Sequence, residues 1–305
     1  MTGEWRDIYF TSRDGLRLHA RHYPAHGSSR RPAVCLAGLT RNARDFHLLA
    51  SCLADPMRHR RAVLAVDYRG RGRSEYDPDW RNYSPYIECL DVLDLMTLEG
   101  VDDAAIIGTS RGGIIAMIMA AIRPGAVGAA VLNDIGPVIE RDGLARIIGY
   151  VGRVPLPSSW QEAADLVREI NQKDFPGLSE DEWLEVARQW FNDDNGEPMP
   201  SYDPKLAKAI TNLDIEREIP AMWSQFKALA RVPVLTLRGE NSDILSPQTL
   251  EKMIELHPDM HHATIPRQGH APFLRDTATI NLIEQFLAES DHQRFETSDG
   301  LSAVA

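Results

Sequence analysis

Between Ala104 and Met119 the chain reads AAIIGTSRGGIIAMIM. A short apolar strand breaks at Gly108-Thr109-Ser110-Arg111-Gly112-Gly113 and resumes as an apolar helix. This is a G-x-S-x-G sequence in a strand, sharp turn and helix, the setting of a nucleophile elbow. The turn needs small residues on both sides of the serine, because the strand and helix backbones approach closely there. The serine is then held in a strained conformation with its hydroxyl exposed above the sheet. The next amide, Arg111 N–H, falls at a helix N-terminus, where partial positive charge favours an oxyanion. The chemistry implied is nucleophilic attack by Ser110 on a carbonyl. The plainer alternative is a Gly-rich turn whose serine merely caps the helix.

A serine hydroxyl is a poor nucleophile near neutral pH. It needs a base to take its proton, and an imidazole base needs an acid to orient it. His270 lies in Gly269-His270, after a short strand, where the glycine lets a turn aim the ring back over the sheet. Asp243 lies in Arg238-Gly239-Glu240-Asn241-Ser242-Asp243, also just past a strand, free to accept from the imidazole N–H. The order along the chain is Ser110, Asp243, His270.

These residues need elements to hold them. Trp5 to Thr11 and Leu16 to His22 read as strands joined by Asp14-Gly15, a hairpin turn signal. Ala33–Ala37, Ala62–Val66, Ala104–Ile107 and Val127–Leu132 read as short buried strands. Helical stretches over 43–53, 85–98 and 112–122 alternate with them. From about Val138 to Leu229 no buried strand is found, and proline-punctuated amphipathic helices follow one another. They fall near Leu144–Tyr150, Ser159–Gln172, Ser179–Trp190, Pro204–Leu213 and Pro220–Ala230. Ser179-Glu180-Asp181-Glu182 reads as an N-cap with an acidic first turn. Alternation returns with a strand at Val232–Leu237, a helix at Pro247–Leu256, a strand at Ala263–Pro266 and a closing helix from Ala271 to Glu289. The polar tail from Asp291 is expected to be flexible.

The pattern gives eight strands in a mostly parallel sheet covered on both faces, with a helical insertion after the sixth. The expected division is a core of 1–137 and 230–290, an insertion of 138–229 and a C-terminal tail of 291–305. In such sheets functional groups gather beyond the carboxyl ends of the strands, and Ser110, Asp243 and His270 each sit just past one.

Bulk composition bounds the alternatives. The 305 residues carry a formal net charge of −11, with 43% hydrophobic and 25% charged residues. An acidic chain argues against nucleic acid or anionic membrane as partners. The N-terminus has no basic segment followed by an apolar run, so no signal peptide is expected and a cytoplasmic location is. Cys35, Cys52 and Cys89 lack C-x-x-C spacing and suit reduced, buried thiols. No H-E-x-x-H or paired Cys/His signature points to a metal, and no cofactor is implied.

At Gly-Thr-Ser-Arg-Gly-Gly, Arg-Gly-Glu-Asn-Ser-Asp and Gln-Gly-His the chain resembles the α/β-hydrolase superfamily over roughly residues 5–137 and 230–289. Asp67-x-Arg69-Gly70-x-Gly72-x-Ser74 matches the turn after the fourth strand in that superfamily. The resemblance implies that the insertion is a helical cap over the active site. Within the superfamily the chain looks most like cap-bearing bacterial serine esterases and lactonases of the 3-oxoadipate enol-lactonase type. Resemblance also implies a second oxyanion donor, the backbone N–H of Leu39, beside that of Arg111. Many relatives carry His-Gly just before that position, where this chain has Ala37-Gly38. The bonds that histidine makes must then come from elsewhere, with Thr40 and Asn42 as candidates.

The implied reaction is hydrolysis of a small-molecule carboxylic ester or lactone through an acyl-enzyme, with Ser110, His270 and Asp243 as the triad. Some superfamily members take the acid from the position of Asp134, which makes Asp134 the alternative. Arg41 and Arg111 are candidates for holding a substrate carboxylate, against a structural role in salt bridges. Trp223 is a candidate for the pocket roof, while Trp160, Trp183 and Trp190 suit helix packing. Two other activities stay open: carbon–carbon bond hydrolysis of a β-diketone-like acid, and ligand sensing on the same fold. A homodimer is also left open.

Overall fold

The computed structural model describes residues 4–58, 60–211 and 220–302. Arg6–Thr11 (β1) and Arg17–Tyr23 (β2) form an antiparallel hairpin. Ala33–Leu36 (β3), His47–Ala54 (α1), Val63–Asp67 (β4), Pro85–Leu98 (α2), Ala104–Thr109 (β5), Arg111–Ile122 (α3) and Val127–Asn133 (β6) follow in alternation. After an intervening stretch, Val234–Gly239 (β9), Pro247–Leu256 (α9), Met260–Ile265 (β10) and Thr277–Ser302 (α10) close the fold. The intervening stretch holds Arg141–Tyr150 (α4), Trp160–Asn171 (α5), Glu180–Trp190 (α6), Phe191–Asp194 (β7), Glu197–Pro200 (β8), Leu206–Thr211 (α7) and Trp223–Ala228 (α8).

Eight of the strands form one sheet in the order β1-β2-β4-β3-β5-β6-β9-β10. β2 meets β4 antiparallel, and every pair from β4 across to β10 is parallel. The central strands are apolar on both faces because both faces are covered. Val34, Leu36, Ile106 and Leu132 point into a core shared with α2, α3 and α9. Ala33, Cys35, Ile107 and Val131 point into a second core shared with α1 and α10. The free thiols of Cys35 and Cys89 are buried within these layers. Among the described residues no helix is long and apolar enough to cross a membrane.

The eight-stranded, mostly parallel sheet and the position of the insertion agree with the sequence reading. Three elements differ. A small antiparallel hairpin, β7–β8, sits inside the insertion, its turn made by Asn195-Gly196 with both residues at positive φ. Asn-Gly is a strong hairpin signal, but the flanking Asn192-Asp193-Asp194 masks the strand pattern. β10 starts at Met260 rather than Ala263, because His261 and His262 are exposed on this edge strand and break the apolar run. The closing helix starts at Thr277, since residues 271–276 form the irregular loop that carries His270, and it runs on to Ser302. Asp291, expected to open a flexible tail, is buried and paired with Arg61 at 2.6 Å. Residues 303–305 of that tail, and residues 212–213 of the helix expected over Pro204–Leu213, lie outside the described residues.

Within the insertion α5 and α6 pack through Ala163, Val167, Trp183 and Val186. Ser179 and Glu182 form a reciprocal capping box at the start of α6, which satisfies two otherwise unpaired helix N–H groups.

Candidate active site

Ser110 sits between the end of β5 and the start of α3 with φ 51° and ψ −113°. A non-glycine residue tolerates this only where its surroundings enforce it. Here they do. A Cβ on Gly108 would lie 2.4 Å from the Gly112 carbonyl carbon, and one on Gly112 would lie 2.0 Å from the Leu36 carbonyl oxygen. The glycines let the helix start directly against β3 and β5. The Ser110 N–H donates to the Asn133 carbonyl at 2.9 Å, which fixes the elbow against β6.

His270 Nε2 lies 2.8 Å from Ser110 Oγ, and His270 Nδ1 lies 2.8 Å from Asp134 Oδ2. The three side chains are therefore joined in series. The histidine side chain is 7% exposed and that of Asp134 is fully buried. Asp134 follows β6, the strand next to β5, and is itself at positive φ. Its Oδ1 accepts from the Gly239 N–H at 2.8 Å, and its Oδ2 also accepts from the Ser242 hydroxyl at 2.6 Å. Three donors thus orient one carboxylate.

Asp243, the expected acid, does not meet the imidazole. Arg146 on α4 takes both its oxygens, at 2.6 and 2.8 Å. Burial alone pushes the Asp243 carboxyl up, but the Arg146 hydrogen bond and charge, with nearby His270, outweigh it and hold it below the ordinary carboxylate value. The preference for Asp243 over Asp134 is corrected for this reason: a guanidinium from the insertion occupies the one carboxylate, and Ser242 with Gly239 presents the other. Ser242 and Arg146 carried no local sequence signal, since both act across long separations.

The Leu39 loop runs beside the serine; a Cβ on Gly38 would lie 3.9 Å from Ser110 Cβ. In place of the histidine of many relatives, the Tyr68 hydroxyl donates to the Ala37 carbonyl at 3.2 Å and Arg71 Nε donates to the Leu39 carbonyl at 2.9 Å. Asn42 instead ties the loop to the insertion, donating to the Gln189 carbonyl and to Ser201. Thr40 lines the cleft. The Arg111 N–H stands at the first position of α3, beside Ser110.

The proposed substrate contacts fare differently. Arg111 is buried, with Nε on Glu88 at 2.6 Å and Nη2 on the Tyr83 carbonyl at 2.9 Å. Its fork is occupied, so of the two roles open to it the carboxylate clamp is dropped and the structural ion pair is the one found. Arg41 does line the cleft, but Asp45 takes its Nε and Nη2 at 2.8 and 2.6 Å, and its guanidinium lies 4.5 Å over the Trp190 ring. Trp223 packs on Phe226 and under the Lys252 ammonium, 4.6 Å from its ring, and lines neither space around Ser110. It belongs to the packing of α8 rather than to a roof.

Two spaces meet at Ser110. One, of about 790 Å³ with its open mouth included, has mixed walls, in which Arg41, Asn171 and Gln189 stand among Tyr150, Trp190 and Phe273. The other, of about 1220 Å³ with its open mouth included, is walled by Ile135, Ile139, Leu144, Ile210 and Ile244. Ile147 on α4 borders both, so the insertion shapes the access to the serine.

Comparison with known proteins agrees with this architecture. A family model described as the Alpha/beta hydrolase family matches residues 33–282. The 3-hydroxybutyrate-oligomer hydrolase of Cupriavidus necator is 31% identical over 279 residues, covering 89% of this chain and 93% of that protein. The 2-(acetamidomethylene)succinate hydrolase of Mesorhizobium japonicum is 26% identical over 234 residues, covering 76% of this chain and 79% of that one. The crystal structure of an alpha/beta hydrolase from Novosphingobium aromaticivorans has a TM-score of 0.84 at 40% identity, covering 94% of this chain and 99% of that chain. Strand order, inserted helices and these matches agree, and the chain belongs to the alpha/beta hydrolase family.

Proposed function

We propose that this hydrolase cleaves small carboxylic esters through a Ser110 acyl-enzyme, with His270 as general base and Asp134 as the orienting acid. The observation that carries the reading is the unbroken series Ser110 Oγ, His270 Nε2, His270 Nδ1 and Asp134 Oδ2, each link 2.8 Å. His270 accepts the serine proton as Ser110 Oγ bonds to the carbonyl carbon. The backbone N–H groups of Leu39 and Arg111 receive the oxyanion. The tetrahedral adduct collapses, the leaving alkoxide takes the proton from His270, and the same imidazole then draws a proton from water to release the acid. The insertion acts as a cap that closes over this chemistry.

The two spaces divide the substrate. The isoleucine-rich one suits an aliphatic part, and the mixed one suits a part that carries oxygen groups on an apolar frame. A relative that acts on 3-hydroxybutyrate oligomers supports an ester built from short hydroxy acids.

The test is hydrolysis of p-nitrophenyl esters from acetate to octanoate, and of 3-hydroxybutyrate dimer and trimer, by wild type and Ser110→Ala. A lactone and a β-diketone-like acid run beside them. Ester turnover lost in Ser110→Ala is expected. Turnover confined to the β-diketone, or ester turnover that survives the substitution, overturns the reading.

A further inference from the structure

Leu39 and Arg111 come from separate parts of the chain, yet one buried carboxylate reaches both. Glu88 on α2 is fully buried. Its Oε1 accepts from Arg71 Nη1 at 2.7 Å and its Oε2 accepts from Arg111 Nε at 2.6 Å. Arg71 is equally buried, and its Nε turns to the Leu39 carbonyl at 2.9 Å while Nη1 also donates to the Arg69 carbonyl at 2.7 Å. A continuous path therefore runs from the Leu39 carbonyl through Arg71 and Glu88 to the side chain of Arg111. Its two ends are the residues whose N–H groups face the developing oxyanion in the reading given above.

Stability alone is a poor reason for such a trio. Taking three charged side chains out of water is costly, and apolar side chains of similar volume often serve packing as well or better. Two guanidiniums also share a single carboxylate, so the charges do not cancel. What the trio supplies is direction. A planar guanidinium can hold a carboxylate and a backbone carbonyl at fixed angles, which an ammonium cannot. Misplacing an oxyanion donor by a fraction of an ångström weakens a bond that matters most in the transition state.

We propose that Arg71 and Glu88 are positioning residues of the oxyanion hole, acting through the Leu39 loop and the Arg111 side chain. The inference rests on Ser110 as the nucleophile. Its test uses Arg71→Lys, which keeps a cation facing Glu88 but loses the fork to the Leu39 carbonyl, beside Glu88→Gln. Two readouts are taken on each variant: kcat and KM on p-nitrophenyl butyrate, and the affinity of a short alkyl trifluoromethyl ketone, which forms a tetrahedral oxyanion adduct on the serine.

For both variants kcat is expected to fall on the order of ten- to a hundred-fold, less than the loss of a whole donor. KM should stay within about two-fold, and ketone affinity should fall in parallel with kcat. A lower melting temperature with unchanged kcat and ketone affinity would assign the trio to packing and overturn the proposal. Failure of the ester reading looks different. There the wild type lacks ester turnover, and the ketone series still reports on the trio through the Ser110 adduct. A wild type that forms no adduct overturns both.

Discussion

At the scale of single residues, two aspartates compete for one imidazole, and their partners decide between them. Asp134 is fully buried and oriented by Gly239 N–H and Ser242, while Asp243 is held at both oxygens by Arg146. Asp134→Asn is therefore expected to lower kcat by about three to four orders of magnitude, as loss of a triad acid does. Asp243→Asn should change kcat by less than about ten-fold, which corresponds to under about 1.4 kcal/mol. Steady-state kinetics on one ester checks both, and a reversed ranking would return the role to Asp243. Gly112 makes a second residue-scale case. Its Cβ would stand 2.0 Å from the Leu36 carbonyl oxygen, a backbone atom that cannot rotate away. Gly112→Ala should cost about 3 kcal/mol or more in urea unfolding, at the upper end of overpacking effects.

At the scale of elements, the Arg146–Asp243 pair ties α4 of the insertion to the loop that follows β9. Because the Asp243 carboxyl is held below its ordinary value, its ionised form is favoured in the folded state. Its stabilisation is fully present above the unfolded carboxylate value of about 3.9 and is lost as pH falls through the lower folded value. The melting temperature of Asp243→Asn should therefore lie below that of wild type at pH 6, and the gap should narrow as pH drops below about 4. A gap that widens in acid would contradict the pairing. Other ties act in the same direction. Arg44 donates to Asn192 and to the carbonyls of Gln189 and Phe191, and Phe175 stacks on Phe273 at 4.3 Å beside the His270 loop. The insertion is thus anchored on both sides of the cleft it shapes.

At the scale of the whole molecule, the last helix is joined to the sheet by a buried ion pair. Arg61, at the entry to β4, donates to Asp291 and to the Leu287 carbonyl on α10. Both side chains are less than a tenth exposed. Breaking one partner of a buried pair typically costs about 3–5 kcal/mol, because the other charge stays behind without compensation. Asp291→Ala should lose about that much in denaturant unfolding, and a chain ending at 290 should lose at least as much. A change within about 0.5 kcal/mol, the usual range for exposed sites, would mean that this end of α10 contributes nothing to the fold.

Features that short-range physics controls are legible in the order of residues. Gly108 before Ser110 specifies the elbow locally, because a Cβ there would meet the backbone of Gly112 within the same turn, whereas the need for Gly112 comes from the Leu36 carbonyl of β3. Apolar runs bounded by turns specified the eight strands and their covered faces, and the N-cap at Ser179 was legible for the same local reason. Which carboxylate serves His270 depends on long-range packing. Arg146 reaches Asp243 across 97 positions and Ser242 reaches Asp134 across 108, and no local pattern encodes such meetings. The same holds for Arg111, for which the sequence leaves a substrate carboxylate and a structural salt bridge both open. Glu88, 23 positions away, had already taken it once α2 and α3 packed together.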